Sequence, residues 1–159
     1  MDPSYFFTPE GEDFEWFYAQ HNVSILDNGD IALFDNGTAK VKRVDGDNRV
    51  SGDNVYSRAV VYQIDTENMT VSQVTEYGKE RGADWYSDWI SGVASLDGTQ
   101  DHLWITAGSH LHSDEENRSD YYPKDMFVQG LTKTTHIDQV DNGELSFELT
   151  ISGDTYNAL

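Results

Sequence analysis

The sequence predicts an all-β chain, and three observations carry that prediction. Apolar and β-branched residues alternate with polar ones in short runs instead of recurring at helical spacing. Asx-Gly turns punctuate the runs, at Asp27-Asn28-Gly29-Asp30, Asp35-Asn36-Gly37, Asp97-Gly98 and Asp141-Asn142-Gly143. The order of runs and turns then repeats, with Ile25 answered by Val93, 68 residues further on.

In chain order, residues 22–26 alternate as a strand and turn at Asp27 to Asp30, and 31–34 read as a short buried strand ended by Asp35-Asn36-Gly37. The polar stretch 44–56 reads as an inserted loop. Residues 58–64 and 70–77 alternate cleanly across a tight connection at 65–68, with Val71, Gln73, Thr75 and Tyr77 on one face. The second unit starts with a strand at 91–96, turns at Asp97-Gly98 and continues over 102–107. A polar loop fills 109–123, strand material follows at 125–132 and 135–140, and Asp141-Asn142-Gly143 turns the chain into 144–151. Each unit is two short strands, an insertion and a longer hairpin. One domain, 1–159, therefore divides into a first unit at 19–77 and a second at 91–153.

A repeated set of four antiparallel strands is the unit of a β-propeller blade. Two blades cannot close a ring that takes about 4–8, and bare edges at both ends would invite self-association. On periodicity alone the chain is a piece of a larger propeller or a free-standing β-sandwich of about eight strands.

The 159 residues suffice to bury one core. Ten Lys and Arg stand against 29 Asp and Glu, a net charge of −19, with no basic cluster. Nucleic acid and anionic lipid are thereby disfavoured as partners, since both need a basic patch. The 4 Trp, 9 Tyr and 7 Phe, with only 3 Pro, set the chain apart from acidic disordered sequences. The absence of cysteine excludes a disulfide framework, a thiolate metal site and a cysteine nucleophile. No apolar run approaches the ~20 residues of a membrane-spanning helix, and the start, Met1-Asp2-Pro3, has no signal-peptide character.

Three segments narrow the choice: Gln20-His21 with Leu26-Asp27-Asn28-Gly29-Asp30 and Leu33-Phe34-Asp35-Asn36-Gly37; Ser57-Arg58-Ala59-Val60-Val61-Tyr62-Gln63-Ile64-Asp65; and Glu76-Tyr77-Gly78-Lys79-Glu80-Arg81-Gly82 running on to Tyr86-Ser87. In this order and spacing they resemble the C-terminal part of bacterial arylsulfate sulfotransferases, strongly over 16–110 and in strand pattern more than motif over 111–159. The resemblance implies a partial propeller of about two four-stranded antiparallel blades from a six-bladed whole, with the active site at the central channel. It implies transfer of a sulfuryl group from a phenolic sulfate ester to a phenol acceptor, with no nucleotide donor, cofactor or metal.

The same resemblance makes His21 the transiently sulfated nucleophile, at the entrance of an innermost strand. A neutral imidazole can attack sulfur and expel phenoxide, and a second phenol then takes the group, which predicts ping-pong kinetics. Charge on the sulfuryl oxygens and leaving phenoxide needs cationic or hydrogen-bonding partners. In the family these include further histidines, an Asn and an Arg from earlier blades, for which this chain has no matching motifs. The fragment is therefore expected to be inactive alone, and its full-length parent to be periplasmic or secreted. Ile90 stands where some members carry a Thr that lines the site; either the adjacent Ser91 substitutes or that contact is dispensable. Tyr18, Tyr86 and Trp85 are the candidates to meet an aryl ring.

Other features take plainer readings. His110-Leu111-His112-Ser113-Asp114 has a zinc-hydrolase spacing, but Glu115 occupies the position of the next expected His. A solvated acidic loop over 110–120 is the better account. In the Asp/Asn-rich stretch 45–54, Arg49 sits where a calcium loop needs an oxygen ligand, which favours ordinary turn chemistry. Arg58 is expected to cap an edge or pair with a carboxylate, and Trp16, Phe17 and Tyr18 to pack between blades. The alternative function is a non-catalytic propeller scaffold for protein or glycan binding.

Overall fold

The computed structural model describes residues 5–38, 56–87, 89–112 and 132–152. The expected loop at 45–54 and the polar run from Ser113 through the strand material of 125–131 lie outside these residues. The first sheet holds β1 (Thr8–Glu10), β2 (Gln20–Ile25), β3 (Ile31–Asp35), β4 (Arg58–Asp65) and β5 (Thr70–Tyr77), in the order β1-β5-β4-β3-β2. The second holds β6 (Gly92–Ser95), β7 (His102–His112), β8 (Thr132–Asp141) and β9 (Glu144–Ser152), in sequence order. Neighbours pair antiparallel except β1, which lies parallel to β5. Both units are thus consecutive four-stranded antiparallel meanders, an all-β arrangement consistent with two blades of a propeller. No helix among the described residues is long and apolar enough to cross a membrane.

The turns follow the chemistry of their sequences. Asp141 pairs with Glu144, leaving Asn142-Gly143 as a two-residue loop with φ of 52° and 82°. Two positive φ values are what a type I′ hairpin requires, and Asn-Gly supplies them at least cost.

Alternation decides what each face buries. Ala32, Phe34, Ala59, Val61 and Tyr77 of the first sheet face Val93, Leu103, Ile105, Ala107 and Val140 of the second, with Trp85 among them. This layer joins the sheets, and each fully buried large side chain in it contributes roughly 1.5–3 kcal/mol. Polar ties reinforce it: the Asp27 N–H donates to the Gly98 carbonyl (2.9 Å), and the Thr75 hydroxyl to Gln100 Oε1 (2.7 Å). On the outward face of the first sheet, Leu33, Val60, Tyr62 and Val71 are covered by Phe7, Phe14 and Phe17 from the segment preceding β2.

Several details depart from the sequence reading. The parallel strand β1 and the 3-10 segment Lys79–Trp85, broken at Gly82, were not among the expected elements. β7 extends to His112, so 109–112 belong to a strand and not to the loop expected at 109–123. Phe17 packs on the outward face of the first sheet beside Tyr62 instead of between the two described sheets, while Trp16 and Tyr18 are about half exposed. Three-residue strands carry no periodicity, and the partner that buries an aromatic run is a tertiary choice.

Candidate active site

His21 sits on β2, the edge strand of the first sheet, opposite Phe34 of β3. β2 and β3 lie against β6, the first strand of the second unit, so the leading strands of the two units are neighbours. His21 is half-buried. It stands between two residues with left-handed backbones, Ala19 (φ 58°) and Asn22 (φ 47°), and the pairing register slips between His21 and Ser24. That bulge leaves two residues opposite one and re-aims the strand at His21. Asn22 lies close against Gly92: a Cβ there would come within 2.5 Å of Asn22 Nδ2, so glycine is what permits the approach.

Among the described residues the imidazole has one hydrogen-bond partner. His21 Nδ1 lies 2.6 Å from Asn36 Oδ1, and Asn36 is fully buried. The Asn36 amide donates both hydrogens, to the carbonyls of Ser87 (2.6 Å) and Ile90 (3.0 Å). Ser57 adds a second tie, its hydroxyl reaching the carbonyls of Asn36 (2.9 Å) and Ser87 (3.0 Å) and accepting the Ser87 N–H (2.9 Å). The string continues into the second sheet. Gly108 N–H donates to Ser91 Oγ (3.0 Å), Ser91 Oγ meets Ser87 Oγ (2.9 Å), and Ser87 Oγ donates to the Trp89 carbonyl (3.1 Å). Since Ser87 spends its hydrogen on Trp89, Ser91 must donate to Ser87. Thr135 closes the run on the Gly108 carbonyl (3.0 Å).

The neighbouring residue, Asp35, anchors the turn from below. Its buried carboxylate accepts the N–H groups of Tyr18 (2.7 Å) and Gly37 (3.0 Å) and pairs with Arg58 Nε (3.0 Å). Arg58, also fully buried, reaches Gln73, Glu76 and the Glu15 carbonyl (2.8 Å), so its expected pairing with a carboxylate is found. Burial opposes the Arg58 charge, and the bonds to Glu76, then Tyr62 and Asp35, outweigh it and hold the guanidinium above its ordinary pKa. Arg58 is thus committed to the fold. Lys79 is likewise paired, with Glu15, and Arg81 with Asp138 and Glu148.

The remaining candidates are distributed around this frame. Tyr18 is 46% exposed, with its backbone fastened to Asp35 and Gly37 just ahead of Gln20-His21. Tyr86 is buried and adjoins Ser87. Ser91 is buried, with φ of 135°, after Ile90 at 46°, and its hydroxyl is engaged by Gly108 and Ser87. Trp85 is a core residue, fully buried against Phe34 and Tyr77 at 5.5 Å, and does not line an open aryl pocket. The metal-spaced His110 and His112 fall on β7, and Asp114 lies outside the described residues. Among the described residues no group of His, Asp and Glu is placed to hold a metal ion.

Sequence reasoning missed Asn36, Ser57 and Ser87 as site residues, because Asp-Asn-Gly reads as a surface turn. The available signal was its position directly after the apolar strand 31–34, which carries the turn into the interior.

Comparison with known proteins bears on this site. The arylsulfotransferase (ASST) family profile matches residues 2–158. Arylsulfate sulfotransferase AssT of Escherichia coli O6:H1 is 34% identical over 127 residues, covering 76% of this chain and 20% of that protein. The protein of the same name from Lelliottia amnigena matches with the same identity and coverage, 34%, 76% and 20%. The chain spans about one fifth of the length of these curated relatives.

Proposed function

The chain belongs to the arylsulfotransferase family, and from that membership we propose that it carries the nucleophile of an aryl sulfotransferase, with His21 as the acceptor of the sulfuryl group. His21 Nε2 attacks the sulfur of a phenolic sulfate ester: the N–S bond forms, the S–O bond to the aryl group breaks, and phenoxide leaves and takes up a proton. In the second half-reaction a phenol oxygen attacks the sulfohistidine, the N–S bond breaks, and the acceptor's proton is released. Two half-reactions through one covalent intermediate give ping-pong kinetics. Donor and acceptor are small phenolic molecules, and the step uses no cofactor.

The observation that carries the reading is the tether of a half-buried edge-strand imidazole to a fully buried amide. A surface histidine needs no such support. Tyr18, exposed just ahead of the Gln20-His21 pair, is the proposed contact for the aryl ring. Tyr86 and Ser91 are proposed to complete the substrate side, Ser91 through its bond to Ser87. Arg58, Lys79 and Arg81 are each ion-paired, so the positive charge that faces the sulfuryl oxygens is proposed to come from other groups, those of the family's earlier blades first among them. The 159 residues alone are accordingly expected to be inactive or nearly so, and the full-length enzyme to work in the periplasm or as a secreted protein.

The test is mass spectrometry of the full-length enzyme after incubation with a phenyl sulfate. An adduct of about 80 Da, the mass of the transferred group, on the peptide containing His21 is expected, and His21→Asn should abolish it. A propeller acting only as a protein- or glycan-binding scaffold acquires no adduct.

A further inference from the structure

We propose that Asn36 is a positioning residue that fixes the tautomer of His21, so that Nδ1 always carries hydrogen and Nε2 alone presents the lone pair. The amide orientation is dictated by its surroundings. Turned the other way, Oδ1 would point at the carbonyl oxygens of Ser87 and Ile90, 2.6 and 3.0 Å away, acceptor against acceptor in a buried site. With both amide hydrogens spent on those carbonyls, only Oδ1 faces the ring, and an amide oxygen only accepts. His21 Nδ1, 2.6 Å away, is therefore the donor in the neutral ring and in the cation alike. Any proton exchanged by His21 comes and goes at Nε2.

This arrangement suits a nucleophile. As Nε2 attacks, positive charge develops over the ring, and the Asn36 oxygen on the opposite nitrogen is already placed to meet it without reorganisation. The hydroxyls and amides behind Asn36 keep its aim: Ser57 holds the Asn36 carbonyl, and Ser87, Ser91, Gly108 and Thr135 hold the receiving segment from the second sheet. The orientation of one ring in the first unit thus depends on the second being docked beside it. Its catalytic value rests on the reading of His21 as nucleophile, whereas the tautomer itself is measurable without any substrate.

The experiment is long-range 1H–15N correlation NMR on the 15N-labelled chain at about pH 8, above the ordinary histidine range. Signals of His21 among the 5 histidines are identified by their loss in His21→Asn. Expected are a protonated shift at Nδ1 and an unprotonated shift at Nε2; the opposite tautomer, or shifts averaged between the two, overturns the assignment. In Asn36→Ala the two shifts should move toward such an average, while Ser146→Ala, at an exposed hydroxyl on β9 outside this network, should leave them in place. Unchanged shifts in Asn36→Ala also overturn it, and if that variant does not fold, the wild-type shifts decide alone. A fixed tautomer with no sulfuryl adduct on the full-length enzyme would sink the transferase reading and leave Asn36's role intact. An adduct on Nδ1 would do the reverse.

Discussion

On the first sheet both faces are covered: the inner one by the second sheet, the outer one by Phe7, Phe14 and Phe17, while β1 closes its far edge. On the second sheet the inner face is covered likewise, and the outer one is exposed where it reaches β9. Its outward rows, Trp104-Gln139-Phe147 and Thr106-Ile137-Leu149, end on β9 with Phe147 and Leu149 exposed at 46% and 43%. Trp104 stacks on Phe147 (6.1 Å) in the first row, and Thr106 and Ile137 of the second are buried, so the exposure is confined to the β9 end. The difference is written in the strands. In β4, Ala59, Val60, Val61 and Tyr62 run without a break and all are buried, as a strand covered on both sides requires, whereas β9 alternates Leu145, Phe147 and Leu149 with polar residues. Covering is encoded strand by strand, and a unit of this architecture is finished only by what lies against it.

Substitutions at the two arginines put the largest strain on this contrast. Arg58→Met leaves the buried Asp35 without its cation and should cost about 3–5 kcal/mol in urea denaturation. Arg81→Met, at a guanidinium whose side chain is 24% exposed, should cost distinctly less. Equal losses would erase the distinction between a sealed outer face and an open seam.

Asp138 reports on that seam. Burial pushes its carboxyl up to about 6, with Arg81 and Tyr77 pulling against it and Glu148 adding to it. A folded value above the ordinary ~3.9 means that the native state holds more protons between the two. This group's contribution to stability therefore rises as pH falls from about 7 to 4, by up to about 3 kcal/mol. Denaturation midpoints at pH 7 and 5 should show the gain in the wild type relative to Asp138→Asn, which lacks the titration; parallel curves would place the carboxyl in water.

The aromatic cover can be weighed directly. Phe17→Ala should cost about 1–3 kcal/mol, whereas Phe147→Ala on the open face should cost less than about 1 kcal/mol. Smallest in stability but plain in hydrodynamics, Phe147→Lys with Leu149→Lys should leave the fold within about 0.5 kcal/mol. The same pair should shift sedimentation toward monomer if copies associate through this face. An unchanged profile at high concentration would locate self-association elsewhere.

The four strands of each unit and the hairpin at Asn142-Gly143 were legible, because period-two alternation and turn residues are local signals. β1 was not: three residues pairing with β5 across some sixty positions of chain leave no trace in spacing. For the candidate site the balance tips the other way. His21 entered through resemblance, since a single histidine carries no pattern. Asn36 shows why its support was hidden: Asp-Asn-Gly has the same letters whether the Asn points to solvent or, as here, inward between two carbonyls. Which it does is decided by the segment from Ser87 to Ile90, more than fifty residues later.

The string running from Thr135 to Asn36 is assembled from hydroxyls, amides and carbonyls, none of which ionises while the protein is folded. Its aim at the ring is therefore held by neutral groups throughout. Separation of the two sheets would break that stitching, and the imidazole would register the break as a lost acceptor at Nδ1.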